Sequence, residues 1–531
     1  MEATAEKTQS QARKEYKSPA SALKWCFERS RDGWKNKYKE LKATIKGYKN
    51  RIADLVKSRE HWKLKAEQAG QQQAALEAEI ARLSAQMAEL EKKNDQGAGP
   101  LNRTPAEQCV PCGQQYPVFV VQWFLSLVVD RRASLRCAVS VLEMFGEFTG
   151  QDGMDPNRST GRLWLLRIGL AALLRSKVIA DDWIWLIDHS IQIGQCKCLV
   201  ILGIRKSELP VGRPLCHEDM ELIALVPMTN STKVTVAAQL EDAVAQTGAP
   251  RAILSDNGSD LHGGVEIFRQ NHPQTIELQD IKHKAACLLK AQLAGDEKWN
   301  QYASQVGQTK FSIQQTELAS LAPPSQRSKA RFMNLGELVE WGKKTLALVD
   351  DPSKLEPLGM TAERVQEKLG WLKEYREALA EWSACHEVIN TTLDFVRNRG
   401  YYLGAGLELG AKLPESSGKA GELREQLIAF VRAESMKVRV GECLPGSTEV
   451  LESCFGKLKA LEQDQSKSGF TGLVLSLGAM VSKRTAETIA EGLERCRVRD
   501  VLDWCKKMLG VSVQSQRKQA YGPLAGATEM G

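Results

Sequence analysis

Long apolar runs are missing from this 531-residue chain. The longest candidate, Val118 to Val129, is interrupted by Gln122 and Ser126 and falls short of the ~18 residues a membrane span needs, so none is expected. The opening residues, MEATAEKTQSQARKEYK, lack the apolar stretch of a secretory signal, which places the protein in the cytosol. A cysteine framework is also lacking. The 13 cysteines are scattered without even, close spacing and read as reduced thiols. The one Cys-x-x-Cys pair, Cys109 and Cys112, has no second pair to complete the four ligands of a structural zinc, so free thiols are the simpler reading and zinc stays an open alternative. Aromatic residues make up only 6%, yet 43% hydrophobic and 26% charged residues are the composition of a folded chain, and disorder throughout is excluded. At roughly 100 to 200 residues per domain, about three or four units are expected.

Charge is unevenly spread. The net charge is +7, but residues 1 to 51 hold 14 Lys or Arg against 6 Asp or Glu, an arm suited to a polyanion or a solvated basic helix. From Leu41 to Leu90 a 4-3 spacing then runs without a proline. Ile45, Ile52, Arg59, Ala66, Gln73, Ile80 and Met87 occupy one position, and Leu41, Tyr48, Leu55, Trp62, Ala69, Leu76, Leu83 and Leu90 the other. This predicts a coiled coil; Ile at the first position with Leu at the second favours a parallel homodimer, and Arg59 and Gln73 help fix register. The rod would be about 75 Å long at 1.5 Å per residue. Gly, Pro and polar residues between Asn94 and Gln115 predict a linker.

Three helical patterns follow, at Val118 to Asp130, Ser134 to Phe148 and Ser159 to Leu174. The last carries Arg162 and Arg167 outside an apolar stripe of Leu163, Leu166 and Leu170, a layout that suits a helix-turn-helix with a basic second helix. After Asp181 the pattern becomes period two and β-branched. Strands are predicted at 183 to 188, 196 to 204, 221 to 228, 251 to 256 and 275 to 281, with a helix from Thr232 to Gln246 and another before the last strand. The order β-β-β-α-β-α-β is that of an RNase H-like fold.

Two acids end apolar strands in this order, Asp188 in LID and Asp256 in LSDNG. Strand ends on one sheet edge bring sequence-distant side chains together. A third acid should come from a helix packed beside them. The segment GSTEVLESCFGKLKALEQ supplies one, with Glu452 beside a stripe of Leu451, Phe455 and Leu458, and with Lys457 and Lys459 downstream to reach phosphate. Glu449 is the rival for this position, and Asp260 and Asp280 are weaker alternatives. His189, and His283 between Lys282 and Lys284, fall near the same place.

With LIDHS, ILSDNGSDL and STEVLESCFGKLK on the page, the sequence resembles the bacterial insertion-sequence transposases of the DDE, RNase H-like superfamily. The similarity spans roughly residues 118 to 510, with only those three segments diagnostic. Glu452 follows Asp256 by 196 positions, which resembles a member carrying a helical insertion. The resemblance implies that Asp188, Asp256 and Glu452 hold two Mg²⁺ or Mn²⁺ ions, hydrolyse a phosphodiester at the element ends and transfer the freed strand into target DNA. Two such ions about 4 Å apart activate a water and stabilise the leaving oxygen, and hard oxygen ligands suit them.

The expected architecture is multidomain, mainly α with an α/β core. It comprises a basic arm (1–40), coiled coil (41–93), linker (94–115), helix-turn-helix DNA-binding domain (116–180), first part of the RNase H-like core (181–295), all-helical insertion (296–440), the catalytic Glu helix (441–468) and a C-terminal helical region (469–531). Arg162, Arg167, Lys457 and Lys459 are the expected DNA contacts. The expected partners are double-stranded DNA and a second copy of the chain, in the bacterial cytosol and on the nucleoid when DNA-bound. The competing readings are a catalytically inactive, transposase-derived DNA-binding protein and a coiled-coil scaffold.

Overall fold

The protein's structure, a computed structural model, describes residues 19–97, 103–151, 153–193, 196–326, 335–351, 353, 355, 359–463, 471–511 and 519–521. The chain divides into two units, Met1–Asn102 and Arg103–Gly531.

The first unit is a single helix, α1 (Ala20–Gly97), of 78 residues. It starts well ahead of Leu41, so the second half of the expected arm is helical and continuous with the expected coiled coil. After Pro19 no proline interrupts the basic stretch, and isolated glycines such as Gly33 and Gly47 cost a helix only about 1 kcal/mol each. Leu41, Ile45, Tyr48, Ile52 and Leu55 are 48–64% exposed, an open apolar seam along the helix. The seam from Trp62 onward lies outside the described side chains. The basic tail residues Arg517 and Lys518 lie outside the described residues.

In the second unit the segment expected as a linker is already built in from Arg103. Thr104 closes a capping box on α2 (Pro105–Gln108), and the Cys112 backbone N–H donates to Glu494. Then come α3 (Val118–Val129), α4 (Leu135–Thr149) and α5 (Arg158–Leu174). Ser134 and Asn157 cap α4 and α5 by accepting from backbone N–H groups three residues on.

The sheet is formed by β1 (Trp183–Ile193), β2 (Cys196–Arg205) and β3 (Glu221–Met228), followed by α6 (Lys233–Thr247), β4 (Ala252–Ser255), α7 (Ser259–Asn271) and β5 (Ile276–Gln279). Its order is β3-β2-β1-β4-β5, antiparallel across the first three strands and parallel across β1, β4 and β5. Alternation gives each strand two faces. Trp183, Trp185, Ile187, Ile201 and Ile253 meet Val236, Leu240, Val265 and Phe268 of α6 and α7. Ile184, Leu186, Val200, Leu254 and Leu278 face the larger core on the other side.

Beyond β5 come α8 (Ile281–Leu293), α9 (Glu297–Ile313), α10 (Leu335–Asp350), α11 (Ala362–Leu369) and α12 (Arg376–Arg399). Trp299, Tyr302, Tyr375 and Trp382 form their aromatic centre, with the Trp299 and Trp382 rings edge-on at 4.9 Å. The segment is not all-helical as expected. After α12, β6 (Tyr401–Tyr402) pairs antiparallel with β7 (Cys443–Leu444), and α13 (Ala405–Lys412) and α14 (Gly418–Ser435) lie between them. The ribbon brings the end of the insertion back beside its own interior, two residues before Gly446. The same segment also covers the free edge of β5: Gln279 donates its N–H to Glu434 and accepts from the Tyr401 hydroxyl, and Lys437 donates to the Glu277 carbonyl. An edge strand left open would template pairing with another chain.

The chain closes with α15 (Glu449–Gln463), α16 (Ser476–Val481), α17 (Ala486–Arg495) and α18 (Val498–Leu509). Helix α15 packs on β1, and α16 crosses α5. At that crossing a Cβ on Gly169 would collide with the Leu475 carbonyl, and one on Gly478 with the Gly169 carbonyl, so only glycines permit the approach.

Candidate active site

Register builds the site. Ile187 pairs with Ser255, and Ser255 with Gln279, so the next residue on each parallel strand is an aspartate: Asp188, Asp256 and Asp280. Adjacent parallel strands lie about 4.8 Å apart, and residues in register point to the same face. Each acid follows a Leu-x spacer, and Leu186, Leu254 and Leu278 all face the larger core, so the three acids face the side on which α15 packs. Asp188 does not end its strand as expected. β1 continues to Ile193 because its second half still pairs with β2, and only the parallel partner β4 stops at Ser255.

Asp188 is strongly perturbed. Burial pushes its carboxyl up to about 7, reinforced by the negative charges of Asp256, Glu452 and Asp280, while an N–H from His189 at 2.6 Å acts the other way. Asp256 sits in a turn where Asn257 takes a left-handed conformation (φ 64°) and Gly258 donates its N–H to the Asp256 carboxylate at 2.9 Å. Asparagine tolerates that region better than most residues, which fits the Asp-Asn-Gly sequence.

Glu452 arrives from the first turns of α15. Its carboxylate accepts from Lys282 Nζ at 2.5 Å, and the same ammonium lies 3.9 Å from Glu449. Glu449 is engaged elsewhere: Arg397 grips it with two hydrogen bonds of 2.6 and 2.7 Å. Asp260 is also engaged. Burial would raise its carboxyl, but hydrogen bonds from Lys197 and Ser231 and the neighbouring His189 hold it down to about 2. His189 bridges from Asp188 to this group, with Nε2 3.1 Å from the Ser231 hydroxyl.

Asp280 has a different job. It is 2% exposed and saturated with donors: its carboxylate accepts from the His283 N–H at 2.7 Å, and from the Thr448 N–H and hydroxyl at 2.6 and 3.0 Å. It therefore caps α8 and anchors the start of α15 at once. Its own N–H donates to the Ser255 carbonyl, and the next N–H, of Ile281, to Gly446. These bonds tie the strand end bearing Asp256 to the helix bearing Glu452. The repeated Leu-x-Asp on three parallel strands was the available sequence signal for this residue. Its partner Thr448, 168 positions away, was not visible from it.

The expected DNA contacts separate. Arg167 is corrected: it is 6% exposed and donates to the backbone carbonyls of Cys496 and Leu493 and to Gln114. Arg162 is half-buried beside Cys505, where burial lowers its basicity. The helix carrying both lies inside the same compact unit as the sheet, buried along the run from Trp164 to Leu170. A recognition helix must present such residues to a groove. Lys459 is exposed, and Lys457 lies 3.3 Å from His217. His283 is exposed, and Lys284 lies over the Phe430 ring at 5.4 Å. Cys109 and Cys112 are free thiols.

The donor chemistry at Asp188, Asp256 and Glu452 is all carboxylate oxygen, with more negative charge than Lys282 offsets. That suits hard divalent cations. As the side chains stand, no group of three His, Cys, Asp or Glu among the described residues is arranged to hold an ion.

The chain matches no family model and no curated protein. A solved structure titled as the Drosophila P element transposase strand transfer complex aligns with 78% of this chain and 100% of its own, at TM-score 0.31 and 12% identity. So loose a likeness carries no argument about what this chain does.

Proposed function

We propose that this chain is a DNA transposase whose RNase H-like core uses Asp188, Asp256 and Glu452 to hold two Mg²⁺ or Mn²⁺ ions. The observation that carries the reading is the meeting of two aspartates, each following a register-matched pair on parallel strands, with a glutamate from α15, in a place where burial, reinforced by the neighbouring negative charges, pushes Asp188 up to about 7. Such perturbed acids cluster at functional sites. The ions would supply an activated water and a stabilised leaving oxygen for in-line attack on a phosphodiester. The chain's own part is positional. β1 and β4 fix two carboxylates side by side, Asp280 fixes the start of α15, and Glu452 exchanges Lys282 for the shared site. Lys282 is then free to meet a phosphate oxygen of the scissile strand.

In this reading the helices from α9 to α14 are an insertion into the core, and α1 pairs with α1 of a second copy through its open seam. Two element ends held together need two catalytic units, which gives that pairing a purpose.

Calorimetric titration of Mn²⁺ into the metal-free chain tests the site. Two ions should bind, and Asp256→Asn should weaken at least one of them tenfold or more. A wild-type chain that takes up no Mn²⁺ contradicts the assignment.

A further inference from the structure

We propose that Arg131, Arg132, Lys457 and Lys483 form a binding surface for the DNA phosphate backbone, taking the place expected of Arg162 and Arg167. The inference rests on the transposase reading above. It starts from four segments distant in sequence that the fold brings together: the turn after α3, the β2–β3 connection, α15 and the loop between α16 and α17.

Arg131, Arg132 and Lys483 are exposed and form no ion pair among the described residues; the charge of Lys483 is felt by Asp219, a carboxylate that Arg213 already binds. Arg484 beside them is already neutralised, donating to Asp130 at 2.7 Å and to Glu218 at 3.3 Å. With Arg131, Arg132, Lys457, Lys483 and Arg484 set against Asp130 and Glu218, positive charge remains in excess. Its closeness shows on its neighbours: burial, Lys457, Arg484 and Arg132 together drive His217 down to about 4, and Lys457 is lowered by burial with Arg484 and Arg132 contributing.

The second observation is conformational. Among the described residues only Arg132 (φ 56°) and Asn257 (φ 64°) are non-glycine residues with positive φ. Asn257 adjoins Asp256. Arg132 occupies a turn where glycine is the unstrained choice, so the chain bears strain to keep a guanidinium there. Lys457 lies five residues past Glu452 on α15, about 7.5 Å along the helix axis. Lys457 is also about 140° round the helix from Glu452, so this surface flanks the carboxylates, and a duplex, with a charge about every 1.7 Å, is long enough to lie across both.

The test uses the full chain and a fluorescein-labelled 40-base-pair duplex, followed by anisotropy across a NaCl series. Arg132→Gly and Lys483→Ala should each weaken binding several-fold and reduce the slope of log K against log salt by about 0.9, and the double variant by about twice that. Arg132→Gly should at the same time melt no lower than wild type, since glycine relieves the turn; a merely structural arginine would not give that pair of results. Unchanged affinity and slope in both variants, with wild type binding, overturns this surface and leaves the transposase reading standing. A wild type that does not bind the duplex overturns both. Poly-L-glutamate competing as well as unlabelled duplex would mark an acidic-protein surface and overturn the assignment to DNA.

Discussion

Asp188→Asn should make the metal-free protein more stable at pH 8, while leaving its stability at pH 4 nearly unchanged. The carboxyl has a folded-state value of about 7 against an ordinary 3.8, raised by burial and then by Asp256, Glu452 and Asp280. The folded chain therefore keeps a proton that the unfolded chain gives up between those values. A group raised in this direction makes stability fall as pH climbs from about 4 to 7, and the loss persists above 7. Three units correspond to ~4 kcal/mol, and relaxation and water entry around the site reduce this to about 2–4 kcal/mol. Asparagine carries no charge and can still accept the His189 N–H, so it removes the penalty without emptying the space. Urea denaturation in EDTA at pH 5 and pH 8 measures the difference. With saturating Mn²⁺ the order should reverse, since ion binding stabilises only the chain able to bind it. A loss of stability in the variant at pH 8 without metal would contradict the charge crowding on which the site is argued.

Asp280→Ala should have the opposite effect, lowering stability by about 3 kcal/mol. Losing a helix N-cap costs about 1 kcal/mol, and this residue caps α8 through the His283 N–H and anchors α15 through Thr448. The Thr448 N–H is then left buried without an acceptor, a further ~1–3 kcal/mol. Relief of the burial that raises the Asp280 carboxyl offsets part of this. Since α15 carries Glu452, strand cleavage should fall with stability, yet Mn²⁺ should still bind because Asp188 and Asp256 remain in place. Urea denaturation together with Mn²⁺ calorimetry separates the two roles. Full stability with abolished Mn²⁺ uptake would make Asp280 a metal ligand rather than a positioning residue.

Local pattern and long-range pairing were unequally legible in the sequence. Alternating β-branched residues located all five strands of the main sheet, with the end of β1 placed five positions early, and Asp188 and Asp256 could be named from the apolar runs that precede them. The helix carrying Glu452 was readable from its stripe of Leu451, Phe455 and Leu458, all of which are buried. What failed was inference from a single stripe on α5. Leu163, Leu166 and Leu170 suggested one buried face, but Trp164, Leu165 and Ile168 fill the remaining sides, so Arg167 had no solvent to reach. The consecutive Trp164-Leu165-Leu166 was the neglected signal, since a helix apolar all round is a buried one. The choice between Glu449 and Glu452 rested on local motif alone, and the Arg397 fork on Glu449 comes from 52 positions away and leaves no local trace. The short β6–β7 ribbon, two residues per strand, is below what periodicity can detect.

The central claim is that Asp188, Asp256 and Glu452 together cut DNA, and strand cleavage tests it most directly. DNA labelled at one end and carrying the sequences that flank the gene would be incubated with wild type and Asp256→Asn in Mg²⁺ or Mn²⁺. Wild type should nick at the flank in a metal-dependent reaction, and the variant should be slower by ~10³-fold or more while binding the same DNA. Binding without nicking by both proteins in both metals would contradict the claim and leave a DNA-binding protein without cleavage activity.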